Sequence, residues 1–334
     1  MYTTQTAIGE NCSRLWSNAV TNDVTDRQRN LCQLLGIERP VLLAPMARVA
    51  GGALATAVSE AGGLGFLGGG YGDADWIAGQ SKIAGDAKVG VGLISWHMGE
   101  EALDAALAID PTAVWLSFGD PGPFIDAIHQ SGALAVCQVG LVDEAIEAVE
   151  AGADVIVVQG TEAGGHGRPG RGLFGLLPAI ADAIGDVPVI AAGGITDRRG
   201  LEAACALGAS GVALGSALYA TPEAIDSDAA KQRIVEASGD DTIHSRVYDH
   251  VRGPLWPTGY TGRTIRTDLT DEWAHREEEL AAQIEPIRSS YQQAVENSDM
   301  SKRAVFAGGA LDKIDAIEPA GDIIRRFPKP GANT

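Results

Sequence analysis

Three stretches of the 334-residue chain combine glycine with groups that hold anions or move protons. The first is Gln159-Gly160-Thr161-Glu162-Ala163-Gly164-Gly165-His166-Gly167, with four glycines in nine positions. Such a stretch makes a poor helix and a close-fitting loop. It presents an amide, a carboxylate and an imidazole. An imidazole exchanges protons near neutral pH, so His166 is a candidate general base or acid. The competing reading makes His166 a solvated loop residue and Glu162 a local backbone cap. The glycine setting, directly after an apolar run, favours the catalytic one.

The second stretch is Ala191-Ala192-Gly193-Gly194-Ile195, and the third is Ala213-Leu214-Gly215-Ser216. Each follows an apolar run. Glycines there let backbone N–H groups approach an anion closely, and the Ser216 hydroxyl adds a donor. Alone, either turn reads equally well as a tight connection. Together, at consecutive strand ends, they point to a phosphate-bearing ligand. A fourth stretch, Leu43-Ala44-Pro45-Met46-Ala47, places Pro45 and Met46 where they could pack against a flat apolar ligand or simply close the core.

These turns need strands to position them. Short apolar runs occur at 41–44, 64–67, 88–94, 113–118, 134–138, 154–158, 187–191 and 211–214. Near-continuous apolarity suits parallel strands covered on both faces. Helical segments lie between them. Asp143–Glu150 places Ala145, Ile146 and Val149 inward, and Arg198–Leu207 places Leu201, Ala204 and Cys205 inward. Several helices end in a small-residue stop built on Gly62, Gly132, Gly152 or Gly208. Eight βα units predict an α/β fold, a (β/α)8 TIM barrel, which needs about 200 residues or more. An open doubly wound sheet is the alternative. Barrels of this kind often bind phosphate after strands seven and eight.

The rhythm breaks after Ala220. Residues 222–242 read as polar and helical, 243–270 as an irregular excursion carrying Trp256 and Tyr260, and 271–297 as one charged helix. The expected organisation is an N-terminal extension over 1–30, a barrel formed by 31–220 with 301–334, and a small insert or cap over 221–300. The excursion is expected to pack over the catalytic end, with Trp256 or Tyr260 near the site.

Composition narrows the partners. Acidic residues outnumber basic ones 44 to 25, for a formal charge of −19. That field disfavours nucleic acid and anionic membranes. The six lysines and the acidic excess suit a salt-rich cytoplasm as well as an ordinary acidic enzyme. Cys12, Cys32, Cys137 and Cys205 show no CxxC spacing, so neither a zinc site nor a disulfide framework is expected. With no apolar leader or spanning run, the expected location is cytoplasmic.

The segments PVLLAPMARVAGGALATAVSEAGGLGFLGGG, VVQGTEAGGHGRPGRG, PVIAAGGITDRRG and GASGVALGSALYATPEA resemble the nitronate monooxygenase (2-nitropropane dioxygenase) family. The likeness runs in order over about residues 33–225 and weakly over 305–327. The resemblance implies FMN in a TIM barrel, without a metal. Pro45 and Met46 would lie along its ring system, with Gln159, Gly164 and Gly165 in contact. Gly193 and Gly194 with Ala213, Leu214, Gly215 and Ser216 would hold its phosphate. His166 matches the family's catalytic histidine. Gly92 departs from the pattern, standing where many members have asparagine.

The implied reaction oxidises an alkyl nitronate, with O2 as electron acceptor, to a carbonyl compound and nitrite. A neutral nitroalkane must first lose its α-proton, a task for His166. Two other readings stay open: an NAD(P)H-dependent FMN reductase of enoyl thioesters or quinones, and a non-catalytic flavin- or phosphate-binding protein. The partners expected are a small substrate and O2. The oligomeric state is open, a homo-oligomer included.

Overall fold

The computed structural model describes residues 23–253 and 255–332. Most of the expected N-terminal extension, with Cys12, lies outside the described residues.

Eight strands form one parallel sheet: β1 (Val41–Leu43), β2 (Gly65–Gly70), β3 (Val89–Ile94), β4 (Ala113–Ser117), β5 (Leu134–Val139), β6 (Val155–Gln159), β8 (Val189–Ala192) and β9 (Gly211–Leu214). A short strand between them, β7 (Gly165–Gly167), belongs to a second, smaller sheet. The order of the large sheet is β1-β9-β8-β6-β5-β4-β3-β2. A parallel bridge between Leu42 and Leu64 joins the two edges, with Leu43 N–H donating to Leu64 O at 3.0 Å. The sheet therefore closes into a (β/α)8 TIM barrel. The predicted strands all occur, their ends shifted by no more than three residues and the last, 211–214, unchanged.

Alternation along each strand sends every second side chain inward. Leu42, Phe66, Trp115, Val136, Val157 and Ile190 fill the interior, with Phe66 and Trp115 edge to face at 5.2 Å. Leu31 and Leu35, from a helix over 23–35, plug the N-terminal end. Two residues further along, the same inward rows reach Gly68, Gly92, Ser117, Gln138 and Gln159. Two of these positions carry no side chain because the turn after β1 lies on them: a Cβ at Gly68 would stand 2.0 Å from Met46 O, and one at Gly92 2.1 Å from Pro45 Cβ.

The stop glycines work through backbone conformation. Gly62, Gly132, Gly152 and Gly208 have φ of +96°, +88°, +104° and +107°, a left-handed region open mainly to glycine. One helix face differs from its prediction. In Val142–Glu150 the buried residues are Ala145 and Ala148, while Ile146 is exposed. A helix lying close on a sheet takes alanine along the contact line, which turns the bulkier Ile146 outward.

The segment after Ala220 is more regular than its composition predicts. β10 (Thr242–Ser245) pairs antiparallel with β11 (Thr261–Ile265), flanking a helix at Val247–Arg252. Within 222–242 the α-helix covers Asp228–Glu236 alone. The single charged helix expected over 271–297 is three: Asp268–Trp273, Glu277–Ala282 and Ile284–Glu296. His275 has φ +68°, which breaks the first run, and Pro286 has no N–H and is tolerated only in a helix's first turn. The chain then returns to the barrel, where Ile324 and Phe327 join the core with Leu54.

A buried cluster ties the return segment to the barrel. The Asp226 carboxylate accepts hydrogen bonds from Arg303 and from the Tyr219 hydroxyl, and Arg303 Nη1 also donates to Ser227 Oγ at 3.0 Å.

The charge of −19 has a consequence for stability. Exposed ion pairs each contribute at most about 1 kcal/mol, so self-repulsion among the excess carboxylates dominates the surface. Added KCl screens it, the Debye length falling from about 10 Å at 0.1 M to about 3 Å at 1 M. The melting temperature is expected to rise across that range in thermal scans. A flat or falling curve would show that local pairs outweigh the net charge.

Candidate active site

His166 does not sit in a loose loop. It lies on β7, the third strand of the small sheet, ordered β10-β11-β7, with His166 opposite Gly262. The ligand-hugging loop expected there is thus partly strand, because β11 supplies it with a hydrogen-bonding edge. Glycine is required on its other side. A Cβ at Gly164 would stand 2.5 Å from the backbone carbon of Ala307.

The rest of the loop is tied down by backbone partners. Gly309 N–H donates to Glu162 O at 2.8 Å. The Thr161 carbonyl accepts from His244 Nε2 at 2.9 Å and from Arg263 Nη1 at 3.1 Å. Burial pushes the His244 imidazole below its usual range, as suits a neutral ring serving a carbonyl. The Glu162 carboxylate accepts from Leu173 N–H at 2.9 Å, at the start of the Leu173–Ile184 helix. Glu162 is a backbone cap, the bland one of its two sequence readings. Gln159 Nε2 donates to His166 O at 2.9 Å and so fastens the histidine's own backbone.

The His166 ring has two neighbours that set its orientation. Trp256 lies parallel to it, with centroids 3.6 Å apart and planes inclined by 5°. Asp249 Oδ1 lies 2.7 Å from Nε2. The side chains of His166 and Asp249 are 13% and 3% exposed. Asp249 Oδ2 has no hydrogen-bond partner among the described residues, Arg246 Nε standing 3.9 Å away.

Sequence reasoning misses Asp249, which lies 83 positions from His166. Its one local signal is an acid on the buried face of Val247–Arg252, among Val247, Tyr248 and Val251.

Around this pair stands an aromatic wall. Trp256 meets Trp96 at 5.6 Å, Phe118 at 5.0 Å and Tyr260 at 5.9 Å. Trp96 and Phe118 follow β3 and β4, so barrel loops and the 243–270 segment build the wall together at the C-terminal end. Both aromatic residues singled out in that segment stand there.

The two glycine turns lie side by side, because β8 and β9 pair with Ala192 opposite Ala213. Gly193 and Gly194 have φ of +111° and +69°. Among the described residues, no protein acceptor takes the amide protons of Gly193, Gly194, Gly215 or Ser216. Around a Cβ built on Gly215 the nearest atom is 3.9 Å away. Clustered free donors, with open space at Gly215, fit an anionic group such as a phosphate. Ser216 Oγ accepts from Gly308 N–H at 2.9 Å, coupling this turn to the return segment. The His166 loop also closes on it, since a Cβ at Gly193 would come within 2.9 Å of Ala163 N.

A model of the nitronate monooxygenase family matches residues 28–87 and 90–328. A nitronate monooxygenase of Neurospora crassa is 32% identical, over 87% of this chain and 88% of its own. The chain belongs to the nitronate monooxygenase family. It is an enzyme of a family of flavin-dependent oxidoreductases.

Two solved structures are similar to this family member over nearly their full lengths. FabK from Thermotoga maritima superposes with a TM-score of 0.79 at 30% identity, covering 89% of this chain and 94% of that one. A nitroalkane oxidase from Streptomyces ansochromogenes superposes at 0.71 with 28% identity, covering 88% and 95%.

The structure accounts for the departure of this nitronate monooxygenase relative at Gly92. A Cβ there would lie 2.1 Å from Pro45 Cβ, so the proline ring occupies the space an asparagine would need. Pro45 and Met46 are both half-buried at the barrel mouth, and Met46 also packs against the core behind it. Burial pushes the Cys32 and Cys137 thiols up to about 12 and raises Cys205 as well, which suits inert cysteines and not nucleophiles. Among the described residues no His, Cys, Asp and Glu group could hold a metal, and no helix is long and apolar enough to cross a membrane.

Proposed function

We propose that this enzyme binds FMN and oxidises alkyl nitronates, and nitroalkanes after loss of the α-proton, with O2 as electron acceptor. The products are a carbonyl compound and nitrite. One observation carries the reading: an oriented, nearly buried imidazole stands at the same barrel end as two adjacent turns of unpartnered amides. Family membership and the likeness to a nitroalkane oxidase support the substrate class.

FMN, when bound, supplies the two-electron oxidation and passes the electrons to O2. The protein's part is to bind, orient and move a proton. Gly193, Gly194, Ala213, Leu214, Gly215 and Ser216 would hold the phosphate through backbone N–H groups. Pro45, Met46, Gln159, Gly164 and Gly165 would border the ring system. His166 would accept the α-proton of a neutral nitroalkane, and a preformed nitronate would need no such step. The aromatic wall built by Trp96, Phe118, Trp256 and Tyr260 would limit water at the reacting carbon.

Likeness to FabK, the higher of the two TM-scores, keeps a second reading: an NAD(P)H-dependent FMN reductase of enoyl thioesters or quinones, with His166 as proton donor. The two separate in one experiment. Purified protein is expected to be yellow and to release FMN, not FAD, on denaturation. Mixed anaerobically with a nitronate it should bleach rapidly, and with NADH slowly. Bleaching by NADH alone would establish the reductase. Bleaching by neither would leave a flavin-binding protein without turnover.

A further inference from the structure

We infer that Asp249 is the positioning residue of the proton-transfer step: it fixes the tautomer of His166, so that Nδ1 is the atom that accepts the substrate proton. The inference rests on the proposed role of His166 as base and adds which nitrogen acts and what makes it act.

The geometry begins with the 2.7 Å contact between Nε2 and Asp249 Oδ1. An ionised carboxylate can only accept, so Nε2 must carry the hydrogen and donate it. In a neutral imidazole the other nitrogen then holds the lone pair. Nδ1 has no hydrogen-bond partner among the described residues, so that lone pair is free. The Asp249 side chain is 3% exposed, and no other hydrogen bond to its carboxylate is present among the described residues. A buried carboxylate without a donor is costly, so the contact is favourable to both partners.

Two further restraints remove the ring's freedom. Trp256, stacked at 3.6 Å, fixes its plane. The hydrogen bond from Gln159 Nε2 to His166 O fixes its backbone. With plane, backbone and Nε2 all held, a ring flip, which would put Cε1 where Nε2 stands, would break the bond to Asp249 and leave the carboxylate without a hydrogen bond.

The step balances. The α-C–H bond of the nitroalkane breaks, and its electron pair becomes the carbon–nitrogen double bond of the nitronate, with negative charge on the nitro oxygens. The proton bonds to Nδ1. The imidazolium so formed keeps its Nε2–H on Asp249, whose negative charge stabilises it.

The test uses the flavin-loaded enzyme with 15N-labelled histidine. At a pH where the ring is neutral, two-bond 1H–15N correlation spectra should show His166 protonated at Nε2 and bare at Nδ1. In Asp249→Asn the amide can turn its NH2 toward the ring, and the Nδ1–H tautomer should appear. Nitroalkane turnover should then fall by about 10²–10⁴-fold, the range for loss of a general base, and nitronate turnover far less. Asp249→Glu should restore the Nε2–H tautomer and part of the nitroalkane rate.

A wild-type ring protonated at Nδ1 would overturn the inference. So would an Asp249→Asn protein that loses nitroalkane and nitronate activity equally with its tautomer unchanged, since that describes a merely structural residue. Failure of the proposed reaction is separate: it would appear as no flavin bleaching with either substrate, while the spectra still report which nitrogen Asp249 holds.

Discussion

In His166→Asn the turnover of neutral nitroalkanes falls by about 10²–10⁴-fold, the typical cost of removing a general base, while preformed nitronates lose far less. The reason is chemical. A nitroalkane must surrender its α-proton before it can be oxidised, and a nitronate has already done so. Asparagine puts its amide near the Nδ1 position, short of Asp249, so the carboxylate loses its Nε2–H donor and the variant is expected to be somewhat less stable while still folded. FMN should stay bound, because the proposed phosphate donors lie after β8 and β9 and not on β7. Oxygen consumption with each substrate form, together with flavin content, reads all three expectations. Equal losses on both forms would mean that His166 positions or stabilises the substrate without taking its proton. Unchanged rates would place the chemistry elsewhere.

The largest expected effect on stability comes from a residue remote from the chemistry. In Arg303→Met the Asp226 carboxylate, whose side chain is 7% exposed, loses its cationic partner. Removing one member of a buried pair costs about 3–5 kcal/mol, because the remaining charge is uncompensated. The Tyr219 hydroxyl cannot replace the guanidinium. Burial, with Asp226 second, already holds its ionisation far above the usual phenol range, so it supplies one neutral hydrogen bond. Urea unfolding should show the loss as a lower midpoint with an unchanged slope. Neutralising the partner as well, in Arg303→Met with Asp226→Asn, should recover most of it.

The same variant should weaken FMN binding. Tyr219 ends the short Ser216–Tyr219 helix that begins at the proposed phosphate turn, so loosening Asp226 loosens the turn. A stability loss below about 1 kcal/mol, in the range of exposed pairs, would show that water reaches Asp226 more readily than its burial implies.

Much of the barrel is legible in the order of its residues. Runs such as 155–158 are apolar on both faces, as covered parallel strands are, and the stop glycines mark where helices end. Gly193-Gly194 and Gly215-Ser216 are legible for the same reason: a turn that leaves amides free requires particular residues in sequence. His166 stands out through its glycine neighbours. By itself, then, the sequence determined the eight βα units, the two turns and a candidate base, since each is set by residues adjacent in the chain.

What lies beyond it depends on residues far apart in the chain. No local pattern announces that β7 becomes an edge of the β10–β11 sheet, since three residues of Gly-His-Gly have no strand signature of their own. Glu162 is available for chemistry as far as its neighbours in sequence can tell, yet Leu173 N–H claims it. Gly92 is explained only by Pro45, 47 positions earlier, whose ring fills the space. Asp249 and Trp256 reach His166 from a segment whose glycines and prolines suggest irregularity. Periodicity records which face of an element is buried. It does not record what the face is buried against, and the tertiary structure alone brought a carboxylate to the edge and an indole to the face of one imidazole.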